Sequence, residues 1–285
     1  VAHLQQLIQG ILAKATVAPE HEFSFEGHPN NTTREHLQAL YDLGFRRVSY
    51  GVQDYNEKVQ KAIHRIQPYE HVQRVTEWAR DIGYTSISHD LVFGLPFQNL
   101  DDVLHTIQQT TQLNPDRLAF YSYAHVPWIK GNGQRGFKDD DVPKDELKRT
   151  LYEEGKKKLL AHGYHEIGMD HFAKTTDSLA IAQQQGKLQR NFQGYTTAGQ
   201  DALIGLGVSS ISQVNGVIWQ NQKELRDYQQ MLTGGQLPLE RGFSLSPDDK
   251  IRAALISQLM CHFELDIAAF CLRYALQDFW SHFAD

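Results

Sequence analysis

The feature that most constrains the fold is a repeated alternation of apolar strands and amphipathic helices in the first 130 residues. The stretch RRVSYGVQD, residues 46–54, is typical: a short buried strand becomes polar just before a predicted helix, which begins near Asn56. Three other segments repeat this design: FSFE at 23–26, TSISHD at 85–90 and LAFYSYAH at 118–125. Apolar strands that each place a polar side chain at their carboxyl end assemble the sites of α/β barrels and open α/β sheets. The sequence therefore predicts an α/β fold with a site at one rim of its sheet.

Helices are predicted from apolar residues at three- and four-residue spacing over 3–16, 33–43, 56–64, 69–82, 100–113 and 145–162. Thr32 and Glu35 form a capping-box signature for the second of these helices. Three helices end at a glycine followed by an aromatic residue, at Gly44, Gly83 and Gly163, because glycine tolerates the left-handed conformation. The alternation implies parallel strands with right-handed crossovers. Four such strands cannot close a barrel alone, so the sheet is either open or continued by strands upstream.

Charge, hydropathy and cysteine content limit the possible functions. The formal net charge is −6 and the pI is about 6.2, whereas a general nucleic-acid binder needs a basic face. No run of about 18 apolar residues is present, so no membrane span is predicted. Val1 to Leu7 is already an amphipathic helix and not a signal peptide. The only two cysteines, Cys261 and Cys271, favour a reducing cytoplasm and are expected to be inert buried thiols.

Glu26, Gln53 and Asp90 occupy comparable positions on three successive predicted strands. In a parallel sheet they would point into one crevice, where an acid can bind a ribose diol or an amino group. Arg65, at the end of the helix after Gln53, has a guanidinium that suits a ligand carboxylate. The alternative is that the three residues cap neighbouring helices and that Arg65 only balances a helix dipole. We favour a shared site because three residues occur in register.

Other patterns give weaker indications. Gly205-Leu206-Gly207 lacks a third glycine and precedes its strand, so we interpret it as a close approach of the backbone to something flat or as a tight turn, and not as a dinucleotide site. No histidine or cysteine pair has zinc-ligand spacing, so no metal site is predicted in this chain. Lys130, Arg135 and Lys138 could form a lid over an anionic substrate, although a solvated surface loop is the favoured interpretation.

Several motifs together resemble the oxygen-independent coproporphyrinogen III oxidases, which are radical S-adenosylmethionine (SAM) enzymes of haem biosynthesis. The motifs are EGHP at 26–29, YGVQD at 50–54, DLVFGLP at 90–96, YAH at 123–125, GMDHFA at 168–173 and RNFQGYTT at 190–197. The last two favour the oxidases over a related haem chaperone-like branch. A haem-binding relative without oxidase activity therefore remains the alternative.

The resemblance implies an incomplete (β/α)6 barrel, of which this chain supplies the last four strands. It divides the chain into a partial barrel core at 1–130, a barrel extension with substrate and cofactor contacts at 131–240, and a truncated C-terminal helical domain at 241–285. It further implies a cytoplasmic monomer with a tetrapyrrole substrate and an electron donor, without nucleic acid or a membrane span.

The resemblance also implies cofactors and site residues. Two SAM molecules and a 4Fe-4S cluster are expected. Glu26 and Ile211 would contact the SAM bound to the cluster, whereas Gln53, Arg65, Asp90 and the Ala124 backbone would hold the second SAM. Arg190, Asn191, Gln193 and Tyr195 are candidates for substrate or cofactor contact, and no catalytic residue is assigned. A 5′-deoxyadenosyl radical would abstract a hydrogen atom from a propionate, which then loses CO2 and one electron to leave a vinyl group, twice per substrate.

The sequence departs from the family at the cluster. The family binds it through three cysteines spaced Cys-x-x-x-Cys-x-x-Cys, and iron–sulfur clusters need such thiolates. Cys261 and Cys271 have the wrong number and spacing, so the ligands are expected upstream of Val1 and this chain alone should be inactive. His28 stands where the family usually has an acid. The missing initiating Met and the mid-helix start also suggest a fragment.

Overall fold

The computed structural model describes residues 1–126, 128, 137–191, 193–197, 199 and 202–284. The chain divides into two compact units, Val1–Ile181 and Ala182–Asp285. The three-segment division expected from the sequence stays a prediction.

The first unit alternates strands and helices along most of its length. In chain order its elements are α1 (Ala2–Leu12), β1 (Ser24–Gly27), α2 (Arg34–Asp42), β2 (Arg47–Gln53), α3 (Glu57–Ala62), α4 (Tyr69–Ile82), β3 (Ser86–Phe93), α5 (Leu100–Gln112), β4 (Arg117–Ser122), a 3-10 turn (Asp139–Asp141), α6 (Asp145–Ala161), β5 (His165–Gly168) and β6 (His171–Ala173). Helix α7 (Ser178–Gln184) follows and crosses the boundary between the units in sequence.

These strands form a six-stranded sheet in the order β1-β2-β3-β4-β6-β5. Strands β1 to β4 are parallel neighbours in chain order, and β6 and β5 extend the sheet antiparallel beyond β4. The predicted α/β class and the four parallel strands are therefore confirmed. The antiparallel extension was not foreseen, and closure into a partial barrel stays a prediction.

The two faces of the sheet differ in chemistry because strand side chains alternate in direction. On one face, Val48, Tyr50, Ile87 and Leu91 are almost fully buried among residues of α2, α4, α5 and α6. On the opposite face the same strands carry half-buried, mostly polar or small residues: Arg47, Ser49, Gly51, Ser88 and Asp90. Burial of the apolar face holds the helices against the sheet, and the other face is left polar.

Local signals at the helix ends agree with the sequence, with one exception. Gly44, Gly83 and Gly163 all have positive φ values, as predicted. The predicted Thr32–Glu35 capping box is wrong, because Thr33 caps α2 together with His36. Thr32 is unavailable because its hydroxyl donates to the His28 carbonyl at 3.0 Å in the preceding turn.

The second unit contains two antiparallel sheets and a helical end. Strands β7 (Gln189–Asn191) and β8 (Gly194–Thr196) form a two-stranded sheet. Strands β9 (Ala202–Leu203), β10 (Ile211–Val214), β11 (Val217–Asn221) and β12 (Leu239–Ser244) form the other, in the order β12-β11-β10-β9. The helices are α8 (Leu225–Thr233), α9 (Pro247–His262), α10 (Ile267–Tyr274) and α11 (Phe279–His282). Ser246 caps α9 ahead of Pro247.

In the described part of the chain, every helix is too short or too polar to cross a membrane.

Candidate functional site

Asp90 lies near the middle of the polar face and is tied to the neighbouring strand. It pairs with Gly51 of β2 and Ala119 of β4 in the strand register, and its Oδ1 accepts a hydrogen bond from the Ser49 hydroxyl at 3.1 Å. Burial raises the pKa of Asp90 to about 6, against the lowering effect of that hydrogen bond. A carboxylate kept charged in such surroundings gains from a cationic or hydroxyl partner.

Gln53 and Arg65 both lie over Gly51. A Cβ atom at Gly51 would be 2.6 Å from Arg65 Nη2 and 2.8 Å from Gln53 Nε2, so a side chain there would have to displace both groups. Arg65 Nη2 also donates to the Gly51 carbonyl at 2.9 Å. Gln53 has a φ of 69°, and the β2–β3 register shifts between Gly51 and Gln53. Gln53, in its left-handed conformation, ends the hydrogen-bond ladder of β2. The sequence did not predict this conformation.

Glu26, His28, Arg65 and Asp90 lie close enough to influence one another. Glu26 pairs with Ser49 in the register of β1 and β2, and its charge raises the pKa of Asp90 while that of Arg65 lowers it. Burial, and then the Arg65 charge, lower the pKa of His28. Burial lowers the pKa of Arg65, and the Asp90 charge opposes this. The structure therefore brings together the acid, amide and guanidinium groups that the sequence singled out from β1, β2, β3 and the turn after α3.

The three strand residues are staggered rather than level. Glu26 is opposite Ser49, whereas Asp90 is opposite Gly51, two positions further along β2. Gln53 comes two residues later still and pairs with Leu91 across the register shift. The groups thus follow a diagonal across the polar face, which suits an elongated ligand better than a compact one.

The donor and acceptor groups here fit an amino acid joined to a ribose. Arg65 Nε is buried and has no hydrogen-bond partner among the described residues, so its donors suit a ligand carboxylate. The Asp90 and Glu26 carboxylates accept from an ammonium or a ribose diol, and the Gln53 amide can both donate and accept. The space over Gly51 is occupied by the ends of the Arg65 and Gln53 side chains, so a ligand in this crevice would meet those polar groups.

Ala124 and Ile211 belong to different units. Ala124 is an exposed residue just beyond the carboxyl end of β4, next to Tyr123, whose N–H donates to the Phe93 carbonyl of β3 at 2.9 Å. It therefore lies on the same rim of the sheet as Gln53. Ile211 begins β10 in the second unit, where Gly205 approaches its carbonyl so closely that a Cβ would lie 2.6 Å away.

The four candidates for substrate or cofactor contact lie on the hairpin of β7 and β8. Arg190 and Gln193 are exposed and Asn191 is half-buried, and Asn191 Oδ1 accepts from the Gln193 N–H at 2.9 Å. Tyr195 is buried, and its hydroxyl donates to the Met260 carbonyl at 2.7 Å. Tyr195 therefore packs inside the second unit, while Arg190 and Gln193 are the candidates of this group that face solvent. Their contacts with substrate or cofactor stay predictions.

Several polar residues around the site were not singled out in the sequence. Ser49 contacts Asp90, and Gln67 Nε2 donates to the Gly51 carbonyl at 2.9 Å. Asp54 and Gln98 are nearly fully buried and hydrogen-bonded to each other at 2.6 Å. A buried polar residue outside any periodic pattern has no signal in a single sequence, because its partners are set by the tertiary structure.

The chain's own thiols do not fit an iron–sulfur cluster. Cys261 is buried in α9, as predicted, whereas Cys271 in α10 is half-buried, so the prediction of a buried thiol is wrong for Cys271. Burial raises the pKa of the Cys261 thiol, which disfavours the thiolate that a metal needs. Among the described residues, no group of three acidic, histidine or cysteine side chains is arranged to hold a metal ion. Lys130 and Arg135 of the suggested lid lie outside the described residues, and Lys138 is exposed.

The fold and the polar rim define an α/β protein of the radical SAM class: residues 3–110 match the Radical SAM superfamily. A curated oxygen-independent coproporphyrinogen III oxidase from Synechocystis is 42% identical over 271 residues, which are 94% of this chain and 58% of that relative. The enzyme of that name from Thermostichus vulcanus is 40% identical over 264 residues, 92% of this chain and 81% of the relative. The solved structure of coproporphyrinogen III oxidase from Escherichia coli, a radical SAM enzyme, superimposes with a TM-score of 0.94 at 40% identity over 99% of this chain and 65% of that one.

The chain belongs to the oxygen-independent coproporphyrinogen III oxidase family. It spans 58% of the length of the Synechocystis relative and 65% of that of the Escherichia coli structure. These relatives bear the oxidase name, so the comparisons favour the oxidases over the haem-binding alternative.

Proposed function

We propose that the protein of which this chain is part converts coproporphyrinogen III to protoporphyrinogen IX without oxygen, as a radical SAM enzyme of haem biosynthesis. The observation that carries the proposal is the convergence of Gln53, Arg65 and Asp90 around Gly51. Family membership supports it, because those residues lie within the region that matches the Radical SAM superfamily.

The residues of the polar face would hold two SAM molecules. For the second SAM, Arg65 would bind the carboxylate, Asp90 the ammonium or ribose hydroxyls, and Gln53 with the Ala124 backbone would complete the polar contacts. Glu26 and Ile211 would contact the SAM that binds the cluster. Since the chain's own cysteines do not fit a 4Fe-4S cluster, its ligands would come from outside this chain.

When bound, SAM and the cluster would supply the radical chemistry that removes a hydrogen atom from a propionate, with loss of CO2 and one electron. The chain's part would be to orient SAM and to keep water from a reactive intermediate. Arg190, Asn191, Gln193 and Tyr195 remain candidates for contact with the tetrapyrrole or a cofactor.

We further propose that the four parallel strands belong to an incomplete (β/α)6 barrel and that the protein works as a monomer with a separate electron donor. The two unpaired cysteines are consistent with a reducing cytoplasm. Gel filtration with light scattering tests the monomer, since a dimer would double the measured mass.

The direct test is turnover by the full-length protein with a reconstituted cluster. Given SAM and a reductant without oxygen, it should release CO2 from coproporphyrinogen III and form protoporphyrinogen IX. Tight haem binding without turnover would instead support the haem-binding alternative.

Two substitutions test the second SAM site. Asp90→Ala and Gln53→Ala should each lower turnover severely, by roughly a hundredfold, because each removes a contact that orients a reacting group. Circular dichroism should show that both variants keep their fold. A matched control is Gln38→Ala on the surface of α2, which loses only a hydrogen bond to Asp42. Unchanged turnover in both site variants would refute the assignments.

A further inference from the structure

The end of β2 is held by side chains where its backbone ladder stops. The carbonyl of Gly51 accepts from Arg65 and Gln67, and the carbonyl of Asp54 accepts from Gln60 Nε2 at 2.8 Å. Gln53, between them, has a left-handed backbone. A non-glycine residue in that conformation persists when its surroundings fix it, so these side chains are what keeps Gln53 in place.

Gln98 joins this end of β2 to the turn after β3. Its Nε2 donates to Asp54 Oδ2 at 2.6 Å and to the Val92 carbonyl at 3.1 Å. Its Oε1 accepts from the N–H groups of Gly94 at 2.7 Å and Leu95 at 3.2 Å. One side chain thus contacts the loop after Gln53 and the strand end that follows Asp90.

Asp54 is the partner of Gln98 in the link between the ends of β2 and β3. It is fully buried, its Oδ1 accepts from the Asn56 N–H at 2.6 Å, and Asn56 caps helix α3. Burial raises the pKa of Asp54 to about 6, while its hydrogen bonds from Asn56 and Gln98 oppose this. A buried carboxylate is costly unless it is fully hydrogen-bonded. Here it connects three segments that surround the candidate site.

We propose that Asp54 and Gln98 are positioning residues that hold Gln53 and Asp90 at the spacing required by the second SAM. They act through the two strand ends and do not contact the ligand themselves. This inference rests on the proposed function, because the ligand is the second SAM of that site.

In the hydrogen bond between the two side chains, Gln98 must donate and Asp54 must accept. This fixed direction gives a specific test. In Asp54→Asn, the new amide would set its Nδ2 against Gln98 Nε2 or, turned over, against the Asn56 N–H, and Gln98 cannot turn over without losing Gly94 and Leu95. In Gln98→Glu, two carboxylates would face each other. In the double variant, the amide introduced at position 54 would donate to the carboxylate introduced at position 98, whose other oxygen would still accept from Gly94 and Leu95. The Val92 carbonyl would lose its donor and face a carboxylate oxygen instead, so the double variant restores the link between positions 54 and 98 but not this contact.

The measurement is SAM binding to the cluster-loaded, full-length protein by anaerobic calorimetry, with the spectrum of the reduced cluster reporting the first SAM separately. Each single variant should raise the Kd of the second SAM by about tenfold or more, since a buried polar mismatch is expensive. The double variant should bind the second SAM more tightly than either single variant, which is the non-additive result that coupling between the two residues produces in a double-mutant cycle. The first SAM should bind normally throughout.

Tyr164→Phe is the matched control. The Tyr164 hydroxyl is buried and donates to the Pro115 carbonyl at 2.8 Å, just before the amino end of β4 and away from the rim. This variant should lower the melting temperature without changing the Kd of the second SAM, which separates positioning from general stability. If a single variant does not fold, the double variant decides the question, because it must fold and bind.

Two results overturn the inference and have different meanings. If the wild type binds two SAM molecules and both single variants bind them equally well, or the double variant stays as weak as the singles, Asp54 and Gln98 do not position the site. If the wild type itself binds only one SAM, the proposed second SAM site fails, and the inference fails with it.

Discussion

At the residue scale, the site carries charges that burial opposes. Burial raises the pKa values of both Asp54 and Asp90 to about 6, so each carboxylate is less stable when charged in the folded protein than in water. Asp54 is compensated by hydrogen bonds inside the protein, whereas Asp90 has Ser49 and a polar face that suits a ligand. A residue that lowers stability while it awaits a ligand is typical of a functional site.

Asp90→Asn should therefore stabilise the protein while weakening SAM binding. The pKa of Asp90 is raised from 3.8 to about 6, and one pKa unit corresponds to about 1.4 kcal/mol, so the charged form costs roughly 2–3 kcal/mol. The wild type loses this stability as pH rises from about 4 to 6, because the unfolded state gives up its proton first. The amide in the variant stays neutral at every pH, so the variant does not lose this stability as the pH rises.

The measurement is the melting temperature of both proteins at pH 8 and near pH 4. The variant should melt higher at pH 8, and the difference should be much smaller near pH 4, where the folded wild type is protonated and its unfolded state is only about half ionised. A variant that melts lower than the wild type at pH 8 would mean that Asp90 is part of the structural framework instead.

At the element scale, α6 packs so closely on the sheet that it needs a glycine. A Cβ at Gly155 would lie 2.6 Å from the ring of Phe120 in β4 and 3.2 Å from Ile107 of α5. Phe120 is buried in the larger core of the first unit, so its ring has little room to move. Helix α6 can therefore pack this closely on the sheet because residue 155 has no side chain.

Gly155→Ala should lower the free energy of unfolding by roughly 1–3 kcal/mol, because overpacking outweighs the better helix propensity of alanine. Gly10→Ala in α1 is the matched control: nothing lies within 4 Å of the position that its Cβ would take, so alanine should be neutral or raise stability by up to about 1 kcal/mol. Urea unfolding followed by circular dichroism measures both. Equal changes in unfolding free energy in the two variants would show that Gly155 does not need to be a glycine for α6 to pack on the sheet.

At the scale of the whole molecule, stability is unevenly distributed. Strand β3 has neighbours on both sides and five of its eight residues buried, whereas all six residues of β12 are exposed at the edge of its sheet. Regions with few buried contacts open locally more often than core strands do. The two units should therefore differ in how easily their sheets open.

Hydrogen exchange followed by mass spectrometry should show amides of β12 exchanging at least about a hundredfold faster than those of β3, since opening the core strand requires most of the unfolding free energy. Strand β11, which pairs on both sides within the same sheet, is the internal control and should be intermediate. Equal protection of β12 and β3 would contradict this account.

The sequence by itself determined the order of helices and parallel strands in the first unit, because apolar periodicity and glycine helix ends are local signals. It also selected Glu26, Gln53 and Asp90, since polar residues at the ends of parallel strands share a rim, and Arg65 at the end of the helix that follows Gln53. Only the tertiary structure decided the left-handed Gln53, the antiparallel β5 and β6, and the Asp54–Gln98 link. These depend on which distant backbone groups become neighbours, and hydrogen bonds between such partners leave no periodic trace in the chain.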